Sequence, residues 1–447
     1  MSEKEEEKIE KPTPLNELES KKDEIIDEKN EIKEENKNEI IEENENKNEI
    51  KEENEIKKEN ENDEENEISD DNKDENEKKD EEEKLEIDPK EFEFNDQDEI
   101  KIEVDDDLKN IEKNSEKIEI DNLNKKLNTK DVLEKLTNIG FTKLELLSLN
   151  NLEINSLDFL NNECFKTLIV LEIKNCKLTS LDKLEEAPLS ELKVLDLSSN
   201  EISSINSLTK CSFKNLEILN LAYNKNINEV KPIADAGFES LRRLDLSSNK
   251  INDINYLGNK VFSNLESLYL NDNQLSDISV LSLEFFKKMK DLQLSNNKIE
   301  NIDIFQEGEG FKDLEELHLC GNEIKSINAL PKWKCQKLRI LRLSNNQIKD
   351  ISPLTDELFK NLEKLDLFDN QVEDIDNVFD KTHFNKIIEI LDLSYNSLKS
   401  IHILIDKKNY EKLNELKIEG NSNLDYSNKE IQQLFQNYDI KYVFNPI

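Results

Sequence analysis

Apolar residues return along this chain in a fixed phase. With the first Leu of each unit as position zero, the column runs Leu144, Leu168, Leu192, Leu216, Leu241, Leu265, Met289, Leu314, Leu338, Leu362, Ile388 and Leu413. That makes twelve units in steps of 24 to 26 residues. Leu or Ile recurs three and five places later, as in Leu195 and Leu197, alternating with polar residues. Such alternation describes a short strand that buries one side, and a repeat of this length describes stacked coils whose strands form one parallel sheet.

Eight places after the first Leu stands Asn in ten units: Asn200, Asn224, Asn249, Asn273, Asn297, Asn322, Asn346, Asn370, Asn396 and Asn421. Leu152 and Cys176 replace it in the first two units. An amide turned inward is costly unless satisfied, and identical coils stacked above and below supply backbone partners. The column therefore predicts an Asn ladder. Further apolar columns (Ile202, Ile205, Leu208 and their equivalents) fill the core. An aromatic column (Phe165, Phe213, Phe238, Phe262, Phe286, Phe311, Phe359, Phe384, Tyr410) is expected to anchor the returning segment, with Trp333 a core substitution near a missing Phe.

A stacked array needs lids. Residues 121–143 are expected to form a helical N-terminal cap, since Asn128 precedes an amphipathic stretch that ends at Gly140. Residues 425–447 are expected to form a C-terminal cap, opened by Ser427 and Glu430 in capping-box spacing.

These columns resemble the leucine-rich repeat family over residues 144 to about 424. The form Asn-x-Ile-x-x-Ile-x-x-Leu is most similar to the short-repeat branch that includes the regulatory subunit of protein phosphatase 1 and bacterial internalins. The resemblance implies an α/β solenoid, a horseshoe with a parallel β-sheet on its concave face, and a non-enzymatic scaffold that binds other proteins there.

Composition divides the chain. Of the net charge of −41, residues 1–120 carry −30, from 51 Asp and Glu against 21 Lys. Aromatic residues are absent there before Phe92. So acidic and apolar-poor a segment cannot offset the entropy of ordering, and residues 1–120 are expected to be disordered. Isoleucines 32, 40, 50, 56 and 68 are spaced without a heptad, which argues against a coiled coil. As a partner-binding arm the segment would engage basic tails; otherwise it is a solubilising tail. The negative charge disfavours nucleic acid and anionic lipid, and no apolar run reaches membrane-spanning length. Without a signal-peptide pattern, and with five cysteines in no C-x-x-C pair, a cytoplasmic monomer with free thiols is expected.

Candidate contact residues come from places two, four, six and seven of each unit, whose side chains face the concave side. Place four is diverse (Asp245, Tyr269, Gln293, His318, Arg342, Asp366, Asp392) where other columns are monotonous. Tyr223, Arg243, Phe368 and Tyr395 stand around it, of the types that dominate interfaces. Tyr269, His318, Arg342 and Phe368 are expected near the centre of the patch, and the Asp residues either hold a basic peptide or form a solvated face. No catalytic residue, cofactor or metal site is expected. There is no phosphate loop or nucleophile elbow, and of the three His none has a Cys or acid at recognisable ligand spacing. The expected function is a protein–protein interaction scaffold. The alternatives are a regulatory subunit of a phosphatase or similar enzyme, and a surface or secreted adhesin or effector.

Overall fold

The computed structural model describes residues 99–102, 107–305, 310–379, 384–404, 410–429 and 431–432. Twelve strands arise where the Leu columns place them. In order they are β3 (Leu146–Asn150), β4 (Val170–Lys174), β5 (Val194–Asp196), β6 (Ile218–Asn220), β7 (Arg243–Asp245) and β8 (Ser267–Tyr269). They continue as β9 (Asp291–Gln293), β10 (Glu316–His318), β11 (Ile340–Arg342), β12 (Lys364–Asp366), β13 (Ile390–Asp392) and β14 (Glu415–Lys417). Each pairs in parallel with the next, so equivalent residues of successive coils lie in straight rows.

Two strands precede these and correct the expected boundary at residue 120. β1 (Glu99–Ile102) and β2 (Lys117–Asp121) extend the sheet, giving 14 strands among the described residues. Ile118 and Ile120 are fully buried in β2. The columns concealed them because Ser115 stands where the first Leu belongs and Leu123 where the Asn belongs. The spacing also breaks, since Lys117 pairs with Leu146, 29 residues on, and Glu99 with Lys117, 18 residues on. Residues 1–98 lie outside the described residues.

The expected N-terminal helix exists as α1 (Thr129–Ile139), capped by the Asn128 side chain on Lys130 N at 3.0 Å and ended by left-handed Gly140. It is not a lid. α1 lies between β2 and β3, so it forms the returning segment of a coil. At the other end Tyr426 Oη accepts from Asn421 N at 3.0 Å and donates to Ile418 O at 2.9 Å, closing the last coil. Glu430 and the segment after residue 432 lie outside the described residues.

The Asn ladder forms as the amide chemistry requires. Asn297 Nδ2 donates to Leu270 O of the preceding coil at 2.9 Å, and its Oδ1 accepts from Leu275 N at 3.0 Å. The same pair of bonds recurs at Asn273, Asn322, Asn346, Asn370, Asn396 and Asn421. On the returning side the aromatic column is buried, and the backbone turns back to the strand there, as in Leu265 N to Phe262 O at 2.9 Å. Phe384 has no described side chain.

Just before the strands runs a row of alternating charge that the columns of apolar residues did not reveal. Lys193, Glu217, Arg242, Glu266 and Lys290 pair in succession at 3.4, 3.7, 3.2 and 2.7 Å. Exposed pairs of this kind contribute little each, but a one-coil slip would set like charges together, so the row favours the native register. Arg242 is thus a structural residue.

Candidate functional site

The sheet brings the place-four residues into one row. Asp245, Tyr269, Gln293, His318, Arg342, Asp366 and Asp392 are direct neighbours on β7 to β13. Their accessibility divides them. Arg342 is exposed, while Gln293, His318, Asp366 and Asp392 are half-buried, as is Arg243 two places before Asp245.

Tyr269 and Asp245 correct the expected contact surface. Tyr269 is 2% exposed, its hydroxyl donating to Asp291 Oδ2 at 2.8 Å, so it presents almost nothing to a partner. Asp245 is buried as well. Its Oδ1 accepts from Ser247 N at 2.9 Å, and Asp196, Asp366 and Asp392 make the same bond two residues ahead, at 2.9 to 3.0 Å. The Asp column is therefore a set of turn caps, each holding the backbone as it leaves the strand.

Those turns lead into a strained position. Place seven has positive φ in all twelve units from Asn151 to Gly420, between 49° and 69°. Asn, Asp, Ser and Gly fill it in ten units, in accord with the tolerance of small polar residues for this region. The exceptions are Tyr223 and Tyr395, which are 53% and 51% exposed. The Tyr395 ring lies 5.1 Å from that of Phe368. It also lies against Gly420, where a Cβ would come within 2.8 Å of it. Phe368, Tyr395 and the Gly420 backbone form an aromatic platform, and the exposed Arg342 is the strand neighbour of Asp366, two residues before Phe368.

Burial acts on the acids of the row. Asp245 is pushed up to about 6 by desolvation, with the Asp196 charge adding to the shift. A carboxyl whose folded value exceeds its unfolded one stabilises the fold when protonated, and this contribution is lost as pH rises from about 4 through 6. Asn220 shows that an amide fits this column, since its Oδ1 accepts from Ala222 N at 3.0 Å. Asp245→Asn is expected to stabilise the protein at pH 7.5 by up to about 3 kcal/mol, with the gain vanishing near pH 4. Urea unfolding of both proteins at the two pH values measures this, and a gain independent of pH would contradict the assignment.

Sequence reasoning missed a cluster at the middle of the row. His318 and Glu316 lie two apart on β10 and therefore on one face, and Asp291 of β9 is the direct neighbour of Glu316. One ligand atom from each of Asp291, Glu316 and His318 lies within 4.8 Å of the others. Contrary to the expectation from spacing along the chain, two acids stand near His318, one on its own strand and one on the adjacent strand. Strand alternation and the 25-residue step from Asp291 to Glu316 were the available signals. The His318 imidazole holds Glu316 below the usual carboxylate range, whereas burial raises Asp291. His402 pairs with Asp376 at 3.5 Å, and His383 lies outside the described residues.

Family models bear on what this surface is for. Models described as leucine rich repeat match residues 190–251, and models of two repeat copies match 239–283, 287–332 and 336–380. Over those residues the chain is similar to leucine-rich repeats. The chain is similar to an internalin from Listeria monocytogenes at 25% identity and TM-score 0.53, covering 65% of this chain and 81% of that one. It is also similar to a leucine-rich repeat protein of Leptospira interrogans at 22% identity and TM-score 0.56, covering 75% and 91%. No curated protein matches. Leucine-rich repeats are generally non-enzymatic protein-interaction modules, and their open sheet is the concave face of the solenoid.

Proposed function

We propose that this chain is a non-enzymatic scaffold that binds a partner protein on the concave face toward its C-terminal half, through Arg342, Phe368 and Tyr395. The observation that carries the reading is Tyr395. A bulky residue in the left-handed region costs on the order of 1 kcal/mol, and half of this ring faces water, so neither backbone preference nor core packing accounts for it. Backbone strain retained at an exposed aromatic is characteristic of contact sites. Tyr223 repeats the arrangement nearer the N-terminus. Gln293, His318, Asp366 and Asp392 form the half-buried floor between, with Arg243 beside it. The five cysteines, all free and four of them buried, suit a reducing compartment such as the cytoplasm.

Because Asn occupies place seven at Asn296 and Asn345, Tyr395→Asn is expected to leave thermal stability unchanged or raised. Each lost hot spot weakens binding by about tenfold or more. Affinity capture with the full chain and with an Arg342→Ala, Phe368→Ala, Tyr395→Asn variant tests the reading. Proteins retained by the first and lost by the folded second support it; identical retention overturns it.

A further inference from the structure

We propose that Asp291, Glu316 and His318 form a divalent transition-metal site on the concave face, with zinc its best-suited occupant. The inference does not depend on the partner-binding reading.

The donor set is one imidazole nitrogen and two carboxylates, which are zinc ligands, leaving a fourth position open toward solvent. The geometry is close to that of a site. The donor atoms lie within 4.8 Å of one another, and a tetrahedral zinc needs them about 3.3 Å apart, a closure within reach of side-chain rotation about half-exposed Glu316.

A second observation points to an electrophile here. His318 Nε2 is shielded from solvent and makes no hydrogen bond. Glu316 Oε2 approaches it at 3.5 Å, too far for a good bond, and the imidazole as a whole is 15% exposed. A buried polar atom whose nearest partner stands at 3.5 Å is poorly satisfied and calls for an explanation, and a metal ion bound between Nε2 and the carboxylates supplies one.

The surroundings hold the ligands as metal sites require. The Tyr269 hydroxyl pins Asp291 Oδ2 at 2.8 Å, and Gln293 Nε2 lies 3.4 and 3.5 Å from its two oxygens. This also gives the buried Tyr269 a role: it orients Asp291. His318 binds through its Nε2 lone pair, so its ring proton resides on Nδ1, and binding weakens in acid as protons compete for the three ligands.

The test is titration of the full-length reduced protein with zinc chloride against a chromophoric chelator, at pH 7.5 and at pH 5.5. One equivalent is expected to bind with a dissociation constant in the micromolar range or tighter, and to weaken at the lower pH. His318→Gln and Glu316→Gln are each expected to weaken it tenfold or more, and Tyr269→Phe by about tenfold through Asp291. Cys320→Ala, which removes the half-buried thiol two residues from His318, is expected to leave it unchanged. The acidic N-terminal residues are common to all variants and cancel in the comparison. Circular dichroism confirms folding, and should one ligand variant unfold, the other carries the test. Unchanged stoichiometric binding in a folded His318 or Glu316 variant, or no binding tighter than the millimolar range in the native chain, overturns the site.

Discussion

Asn297→Ala is expected to destabilise the repeat array by about 3 kcal/mol, measured as the shift in urea unfolding followed by circular dichroism. The Asn297 amide donates to Leu270 O, Leu294 O and Ser295 O at 2.9 to 3.1 Å and accepts from Leu275 N at 3.0 Å. Water cannot take over these bonds, because the side chain is buried between coils. Leaving one buried donor or acceptor unsatisfied costs about 1–3 kcal/mol, and Leu275 N–H is stranded, while Leu270 C=O keeps only the longer bond from Asn273 Nδ2 at 3.2 Å.

Two further variants separate hydrogen bonding from volume. Asn297→Asp keeps the acceptor for Leu275 N but turns a carboxylate toward three carbonyl oxygens, so it is expected to be worse than Ala at neutral pH and to recover in acid. Asn297→Cys is expected to be milder than either. The chain already places Cys176 in this column, where its Sγ lies 3.3 Å from Leu149 O and from Lys174 O. Equal effects of Ala, Asp and Cys would mean that the ladder acts through packing alone.

The Asn column was legible because it carries two constraints at once, inward direction and amide chemistry, that few residue types satisfy. The same holds for the twelve strands from Leu144 onward, where several columns repeat in phase. β1 and β2 lacked that redundancy: with Ser115 and Leu123 in the diagnostic columns, Ile118 and Ile120 look like two isolated apolar residues in an acidic stretch. The candidate surface was legible in position and not in accessibility. Place four does align in one row across the sheet, yet neighbouring rows cover Tyr269 and Asp245, and burial of a sheet residue depends on side chains 24 or 25 positions away. The Asp residues at place four look like surface charge along the chain, yet their position three residues before a forced left-handed residue marks them as turn caps. The cluster of Asp291, Glu316 and His318 was hidden for a related reason, since its members meet across strands.

Trp333→Ala is expected to cost about 3–5 kcal/mol, the range for deleting a large buried aromatic, and to break the array's unfolding into two transitions. The Phe column fails in this coil: Cys335 sits three residues before Leu338, where Phe262 stands before Leu265 and Phe359 before Leu362. Trp333, two residues earlier, fills the missing volume. It is fully buried, 5.4 Å from Phe305 and 5.5 Å from Phe311 with edge-on rings, and its Nε1 donates to Ile302 O at 2.9 Å. Removing it empties a site shared by two coils, and because each coil contacts only its neighbours, the loss concentrates at this junction. Trp333→Phe is expected to restore much of the packing and leave Ile302 O without its donor, a cost of about 1–2 kcal/mol. Hydrogen exchange locates the effect: protection is expected to fall first at Leu330 and Leu338 and last in the coils near β5. A uniform loss along the whole array would show that the coils unfold as one unit and that this junction is not a separable weak point.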